Sequence, residues 1–265
     1  MKKVHLLTID PQNDFCDPNG ALFVPGANDD VVRLADLINR CSGKLTQVHV
    51  TLDSHRTIDI AHPIFWVDSN GNHPAPFTII SEDDVVNGTW NSTNPAWKQI
   101  AVDYVKALST NGRYPLCVWP PHCRIGTWGH SIAKPVSDAL LKWEKERFRV
   151  VDFVTKGSNV LTEHYSAVQA DVPDPADPTT MLNTGLLKIL ADADQILISG
   201  QALSHCVANT ITDIANNFGE ENIKKFVLLE DTCSNVPTFE NLGEAFVRDM
   251  SARGMTVVRS ADYLP

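Results

Sequence analysis

A cysteine, an aspartate and a lysine, each placed just beyond a stretch that reads as β-strand, hold the most reactive positions in this sequence. Cys206 lies in Ser199-Gly200-Gln201-Ala202-Leu203-Ser204-His205-Cys206-Val207, a small-residue turn between a strand and a helix. A thiol at a helix N-terminus feels the positive end of the helix dipole, which favours thiolate. Backbone N–H groups in such a turn can also hold an oxyanion formed from a carbonyl substrate. Asp10 ends the first apolar run, and Lys156 follows the run 149–155. A carboxylate in a dry cleft can take the thiol proton and return it to a leaving amine. An ammonium beside it keeps the carboxylate ionised and stabilises developing negative charge. Singly, each has a plainer reading: a lone buried cysteine is commonly inert, Asp10 can turn with Asn13, and Lys156-Gly157 can be a solvated strand end.

Asp53-Ser54-His55 offers one oxygen and one nitrogen at metal-site spacing, because alternate residues just past a strand can point the same way. His62 lies seven residues beyond His55, and His122 sits in Trp119-Pro120-Pro121-His122-Cys123, a loop stiffened by two prolines. Both are further ligand candidates. The neighbouring Cys123 is a weaker one, since adjacent residues rarely face one ion. His5, His49, His73, His130, His164 and His205 are read as structural or exposed.

The elements that must position these groups alternate. Strands are expected at 4–9, 46–52, 149–155, 195–199, 224–229 and 255–259, and helices at 29–41, 181–191, 204–217 and 239–253, from the β-branched runs and the 3.6-residue spacing of apolar positions. Near-continuous apolar strands separated by helices indicate a parallel sheet covered on both faces, an α/β three-layer fold. If the sheet is parallel, Asp10, Asp53, His55, Lys156 and Cys206 converge on its carboxyl edge, where open α/β sheets bind ligands. Two stretches break the alternation. Residues 63–121 hold four tryptophans and a helix near 95–108, and 171–180 carries three prolines among acids. Both read as insertions over one end of the sheet. Trp66 and Trp90 belong in a core by default; the alternative places them over the cleft or in a subunit contact.

The 265 residues carry 22 basic and 32 acidic side chains, a formal charge of −10, and 43% are hydrophobic. That composition excludes a disordered chain and argues against a nucleic-acid or anionic-membrane partner. The apolar run at the N-terminus stops at Asp10, too short for a secretory signal or a membrane span. Six cysteines without CxxC spacing indicate reduced thiols and a cytoplasmic location. A homo-oligomer is left open.

With these residues in place, the sequence resembles the isochorismatase-like cysteine hydrolases, and among them the nicotinamidases. The resemblance is carried in order by Ile9-Asp10-Pro11-Gln12-Asn13-Asp14-Phe15-Cys16, Asp53-Ser54-His55, Trp119 through Thr127, Lys156-Gly157 with Tyr165-Ser166, and Gly200-Gln201-Ala202 through Cys206-Val207. It implies a single domain, 1–265, around a six-stranded parallel sheet, with insertions at about 63–121 and 163–190. It implies Cys206 as nucleophile, Asp10 as general acid/base, Lys156 as third member of the triad, and the N–H groups of Ala202 and Cys206 as an oxyanion hole beside a cis Gln201–Ala202 peptide. Asp53, His55 and His122 match ligands of a divalent zinc, iron or manganese ion, with His62 the nearest match to one more. Phe15, Trp119 and Tyr165 match the lining of a ring pocket. The implied reaction is hydrolysis of nicotinamide to nicotinate and ammonia through a thioester. Departures surround the pocket: Leu203-Ser204-His205 before the cysteine, Ile60 through Trp66 after the D-x-H, and a cation at Arg124. They keep another amide, carbamoyl or ureido substrate open. A binding module without turnover is disfavoured by the three triad residue types at strand ends.

Overall fold

The computed structural model describes residues 2–263. Among the described residues there are ten strands: β1 Val4–Ile9, β2 Leu45–Asp53, β3 Trp66–Val67, β4 Ile79–Ile80, β5 Asn91–Ser92, β6 Leu116–Cys117, β7 Asp152–Lys156, β8 Gln195–Gly200, β9 Phe226–Leu229 and β10 Thr256–Val258. The α-helices are α1 Asn13–Cys16, α2 Ala27–Cys41, α3 Glu82–Val86, α4 Lys98–Thr110, α5 Lys134–Arg147, α6 Thr184–Ala191, α7 Ala208–Phe218 and α8 Glu240–Ala252.

Six strands form one parallel sheet in the order β10-β9-β8-β1-β2-β7, the expected α/β arrangement. From the central β1 the chain moves outward through β2 to β7, then returns to β8 and moves the opposite way to β10. Right-handed crossovers running in opposite directions put α2 and α5 on one face and α6, α7 and α8 on the other. The packing agrees: α2 lies against α5, and α7 against α6 and α8. Strands β1 and β8 are buried almost throughout, which is why they read as apolar runs rather than alternating ones. The direction of winding reverses between β1 and β8, and this switch point leaves a crevice at the carboxyl ends. Gly200, the last residue of β8, makes the closeness of the two strands there possible. A Cβ at Gly200 would lie 2.0 Å from the Ile9 carbonyl oxygen, and its φ is +128°.

The segment 60–118 carries a hydrophobic cluster of its own, in which Phe65, Trp66 and Tyr104 are buried and Trp97 stacks on Phe65. Two short antiparallel pairs, β3 with β5 and β4 with β6, tie it together. Trp66 is thus fully buried in the insertion and covers no cleft, while Trp90 packs half-buried on the same cluster. Local boundaries also shift. The strand expected at 149–155 is Asp152–Lys156, because the exposed Phe148, Arg149 and Val150 run outside the ladder. The helix expected from 204 is a π-helical turn, Leu203–Val207, leading into α7. Helix α5, which the sequence reading left out, buries Val136, Ala139, Leu140 and Trp143 at helical spacing.

A polar chain runs from the buried His5 and His49 out to the half-buried Asp152 at the sheet edge. His5 Nδ1 is 3.1 Å from His49 Nε2, and His49 Nδ1 is 2.7 Å from Asp152 Oδ2, across β1, β2 and β7. Among the described residues no helix is long and apolar enough to cross a membrane.

Candidate active site

Strand ends deliver the groups the sequence singled out to one place. Asp10 follows β1 in a left-handed conformation, φ 47°, that non-glycine residues rarely adopt and that clusters at functional sites. Thr51 fixes it: the Asp10 N–H donates to Thr51 Oγ1 at 3.0 Å, and the Thr51 hydroxyl donates to Asp10 Oδ1 at 2.5 Å. Lys156 closes β7 opposite Asp53, which closes β2. Its Nζ lies 3.0 Å from Asp10 Oδ2, 2.9 Å from Asp53 Oδ1 and 3.6 Å from Cys206 Sγ. All four side chains are buried. The contact with Asp10 Oδ2 is an ion pair off the line of a hydrogen bond, so that oxygen has directional capacity to spare.

The electrostatics correct one expectation. Burial pushes the Cys206 thiol well above its ordinary pKa, and Asp10 and Asp53 add to that push while Lys156 opposes it. The resting sulfur is therefore a thiol, and the turn at the head of α7 does not make it a thiolate. Burial also raises Asp10, against the pull of Lys156. Burial alone would lower Lys156, but Asp10 and Asp53 more than reverse it and hold it as an ammonium. A buried carboxylate whose proton affinity is raised, sharing Lys156 with a thiol, can take the sulfur's proton.

The Gln201–Ala202 peptide is cis. The Ala202 carbonyl accepts from the N–H groups of His205 and Val207, which pins the turn carrying Cys206. Gln201 is held in turn by Asp30, to which its side-chain amide donates at 2.8 Å.

Next to the triad, Asp53, His55 and His122 bring one ligand atom each within 4.8 Å of one another. Asp53 Oδ2 is 3.0 Å from His55 Nε2 and 3.2 Å from His122 Nε2. The outer nitrogens are already engaged: His55 Nδ1 with Asp59 at 2.9 Å and His122 Nδ1 with the Pro120 carbonyl at 2.9 Å. Both rings then turn Nε2 toward Asp53, the orientation that outer hydrogen bonds impose on metal-binding imidazoles. His62 is buried with neither ring nitrogen hydrogen bonded, and its ring centroid lies 5.1 Å from that of His55 and 5.5 Å from that of His122. One carboxylate oxygen with imidazole nitrogens suits a divalent transition ion, so the residues present fit such a group. Gly157 lets the chain pass behind the cluster; a Cβ there would sit 3.0 Å from Asp53 Oδ1, at a φ of +82°.

A cavity over Cys206 is lined by Phe15, Trp119 and Tyr165 and by Asp53, His122 and Ala202. The Trp119 indole donates to the Tyr165 hydroxyl at 2.9 Å. The void is tight, about 30 Å³, room for about one water. Larger hollows of about 620 and 680 Å³ lie elsewhere on the surface, but neither includes Cys206 or Asp10. Arg124 is exposed and does not line the cavity.

Sequence reasoning missed three supports and one wall. Asp59 orients His55 from four residues on, a spacing visible in the sequence. Gln12 clamps Asp53 by donating to its carbonyl and accepting from its N–H, both at 2.8 Å. His164 accepts the Gly157 N–H at 3.1 Å. Glu163 joins the cavity wall, its pKa pushed up to about 8 by burial, with His55 opposing.

No family model matches the chain. The curated nicotinamidase of Saccharomyces cerevisiae is 25% identical over 229 residues, 86% of each chain. Among solved structures, the yeast nicotinamidase Pnc1p aligns with a TM-score of 0.66 at 21% identity, over 96% of this chain and 99% of that one. An Acinetobacter baumanii nicotinamidase and pyrazinamidase aligns with 0.67 at 21% identity, over 100% and 99%. A Pyrococcus horikoshii pyrazinamidase in complex with zinc gives 0.57 at 19%, over 97% and 99%. By fold this chain is built along nearly its whole length as those nicotinamidases and pyrazinamidases are, and in sequence it is similar to the yeast nicotinamidase.

Proposed function

We propose that the chain is a cysteine-dependent amidohydrolase that converts nicotinamide and water to nicotinate and ammonia. The observation that carries this reading is Lys156 Nζ, within 3.0 Å of Asp10 and 3.6 Å of Cys206 in one buried cleft. Asp10 accepts the Cys206 proton as the sulfur attacks the carboxamide carbon. The oxyanion that forms is met by the N–H groups of Ala202 and Cys206. Asp10 then protonates the departing ammonia, leaving a thioester. A water molecule gives its proton to Asp10 as it attacks the thioester; nicotinate leaves and the proton returns to sulfur. Lys156 remains an ammonium throughout and offsets negative charge on Asp10 and sulfur.

Phe15, Trp119 and Tyr165 hold the ring, while Asp53, His55 and His122, with His62 behind them, hold a divalent ion. Such an ion, when bound, supplies a Lewis-acid anchor for a ring nitrogen. Residues 63–121 and 163–190 are insertions in one catalytic domain. Its partners are small-molecule amides, and it works in the cytoplasm on the salvage of pyridine nucleotides. The yeast relative's activity and the neighbouring zinc-bound pyrazinamidase support the substrate and the ion.

The test is ammonia and nicotinate release from nicotinamide, with metal content measured on the same preparation. Turnover that disappears on alkylation of Cys206 is expected. Full turnover by Cys206→Ala would overturn the reading. Glu163 in the cavity wall favours a second reading, an amide, carbamoyl or ureido substrate with a further N–H donor. Faster turnover of such a compound than of nicotinamide would select it.

A further inference from the structure

The sheet has two edges, and they are finished differently. At β10 none of the three residues is an exposed large apolar side chain. At β7 six exposed apolar side chains surround one five-residue strand: Leu141, Phe148 and Val150 toward one side, Phe153, Met181 and Ile189 toward the other. Phe148 is 98% exposed and Val150 76%. Phe148 also caps α5 in a left-handed conformation, φ 50°, a position that glycine or asparagine ordinarily takes. Together the six expose on the order of 600 Å² of side chain over the two sides of the strand, below the ~800 Å² each partner contributes to a standard interface but a large share of it.

The backbone of β7 is open on the same side. In a parallel ladder a residue's N–H and C=O point to the same neighbour, and the Lys156 carbonyl accepts from Ser54 on the β2 side. Phe153 and Thr155, one residue out of phase, therefore direct theirs outward. Among the described residues neither makes a backbone hydrogen bond there. Such an edge is a template for another strand.

We propose that this edge is a twofold interface between two copies of the chain. The β7 strands run antiparallel about an axis at Val154, so that Phe153 and Thr155 of one copy face Thr155 and Phe153 of the other. Charge selects a second copy as the occupant. The chain carries −10, so two copies repel over most orientations. Apart from the buried Lys156, the charged side chains lining the two hollows are Glu144, Lys145, Arg149 and Asp152, two of each sign. A twofold axis sets such a surface against itself with opposite charges able to meet. Pairing would join the sheets of the two copies into one of twelve strands and cover both apolar faces of the edge.

Sedimentation velocity on the full chain across a concentration series tests this. A species of twice 29.2 kDa is expected, and Phe148→Asp and Val150→Asp, both exposed, shift it to monomer with unchanged thermal unfolding. Val86→Asp, at an exposed position of α3 that lines neither hollow, keeps the dimer. Amide exchange adds a second readout: the Phe153 and Thr155 amides slow at high concentration and lose that protection in Phe148→Asp. A wild-type chain that is monomeric at every concentration overturns the proposal. So does a dimer that survives both aspartates, one that Val86→Asp dissolves, or one that leaves those two amides unprotected.

Discussion

Two histidine and aspartate clusters are built on the same three strands, β1, β2 and β7, one at the carboxyl ends and one further back along them, and only one has the makings of a catalyst. Further back, His5, His49 and Asp152 form a line in which each neighbouring pair shares a hydrogen bond. At the carboxyl ends, Asp10, Asp53, His55 and His122 meet Lys156 and Cys206, and bonding capacity is left over: Asp10 Oδ2 and both nitrogens of His62 lack a hydrogen bond, and a void lies above the sulfur. The residue types are nearly the same. What separates a structural cluster from a reactive one is unspent hydrogen-bonding capacity beside a nucleophile and a space for substrate.

The comparison can be broken at either cluster. Replacing Cys206 by alanine should lower turnover by roughly 10⁴-fold or more, since members of a nucleophilic unit fail together; a steady-state assay with unchanged circular dichroism checks it. Asp10→Asn keeps the shape but removes the proton carrier, and a loss of roughly 10²- to 10⁴-fold in kcat is expected. A smaller effect follows from the outer ring of the metal cluster. Asp59→Asn should weaken binding of zinc roughly 10- to 100-fold, read by chelator competition, because His55 loses the partner that orients it.

The cluster of His5, His49 and Asp152 should respond in stability alone. Burial, and then His49, lowers the His5 pKa to about 4, below the ordinary 6.5. The unfolded chain therefore binds the extra proton first, and stability falls as pH drops from about 6.5 to about 4, then levels. His5 contributes on the order of 2 kcal/mol to that loss. His5→Leu should flatten this part of the denaturation profile and leave kcat/KM at neutral pH unchanged. A change in kcat/KM would mean that the two clusters communicate.

The sequence made the reactive end legible because its members sit just past apolar runs, where a parallel sheet must gather them, and because the strings around Asp10, His122 and Cys206 resemble a known family. Its supports were harder to see. Gln12 and Asp53 meet only once β1 and β2 are paired, and nothing local marks Gln12 as a clamp. The protonation of Cys206 depends on how deep it lies, which the local turn does not disclose. Strand β7 misled because its edge position leaves Phe153 and Thr155 exposed, and an outer strand lacks the continuous apolar run of a central one. Helix α5 is a different case: 136, 139, 140 and 143 have helical spacing, but charged residues surround them and dilute the signal.

The 30 Å³ void over Cys206 has a kinetic consequence. A flat heteroaromatic ring is larger than this void, so a form that admits it must differ from the resting one in the lining of the cavity. Measured affinity is then the intrinsic affinity scaled by the admitting fraction. Substitutions behind that lining can then tune capture of substrate without touching the chemistry.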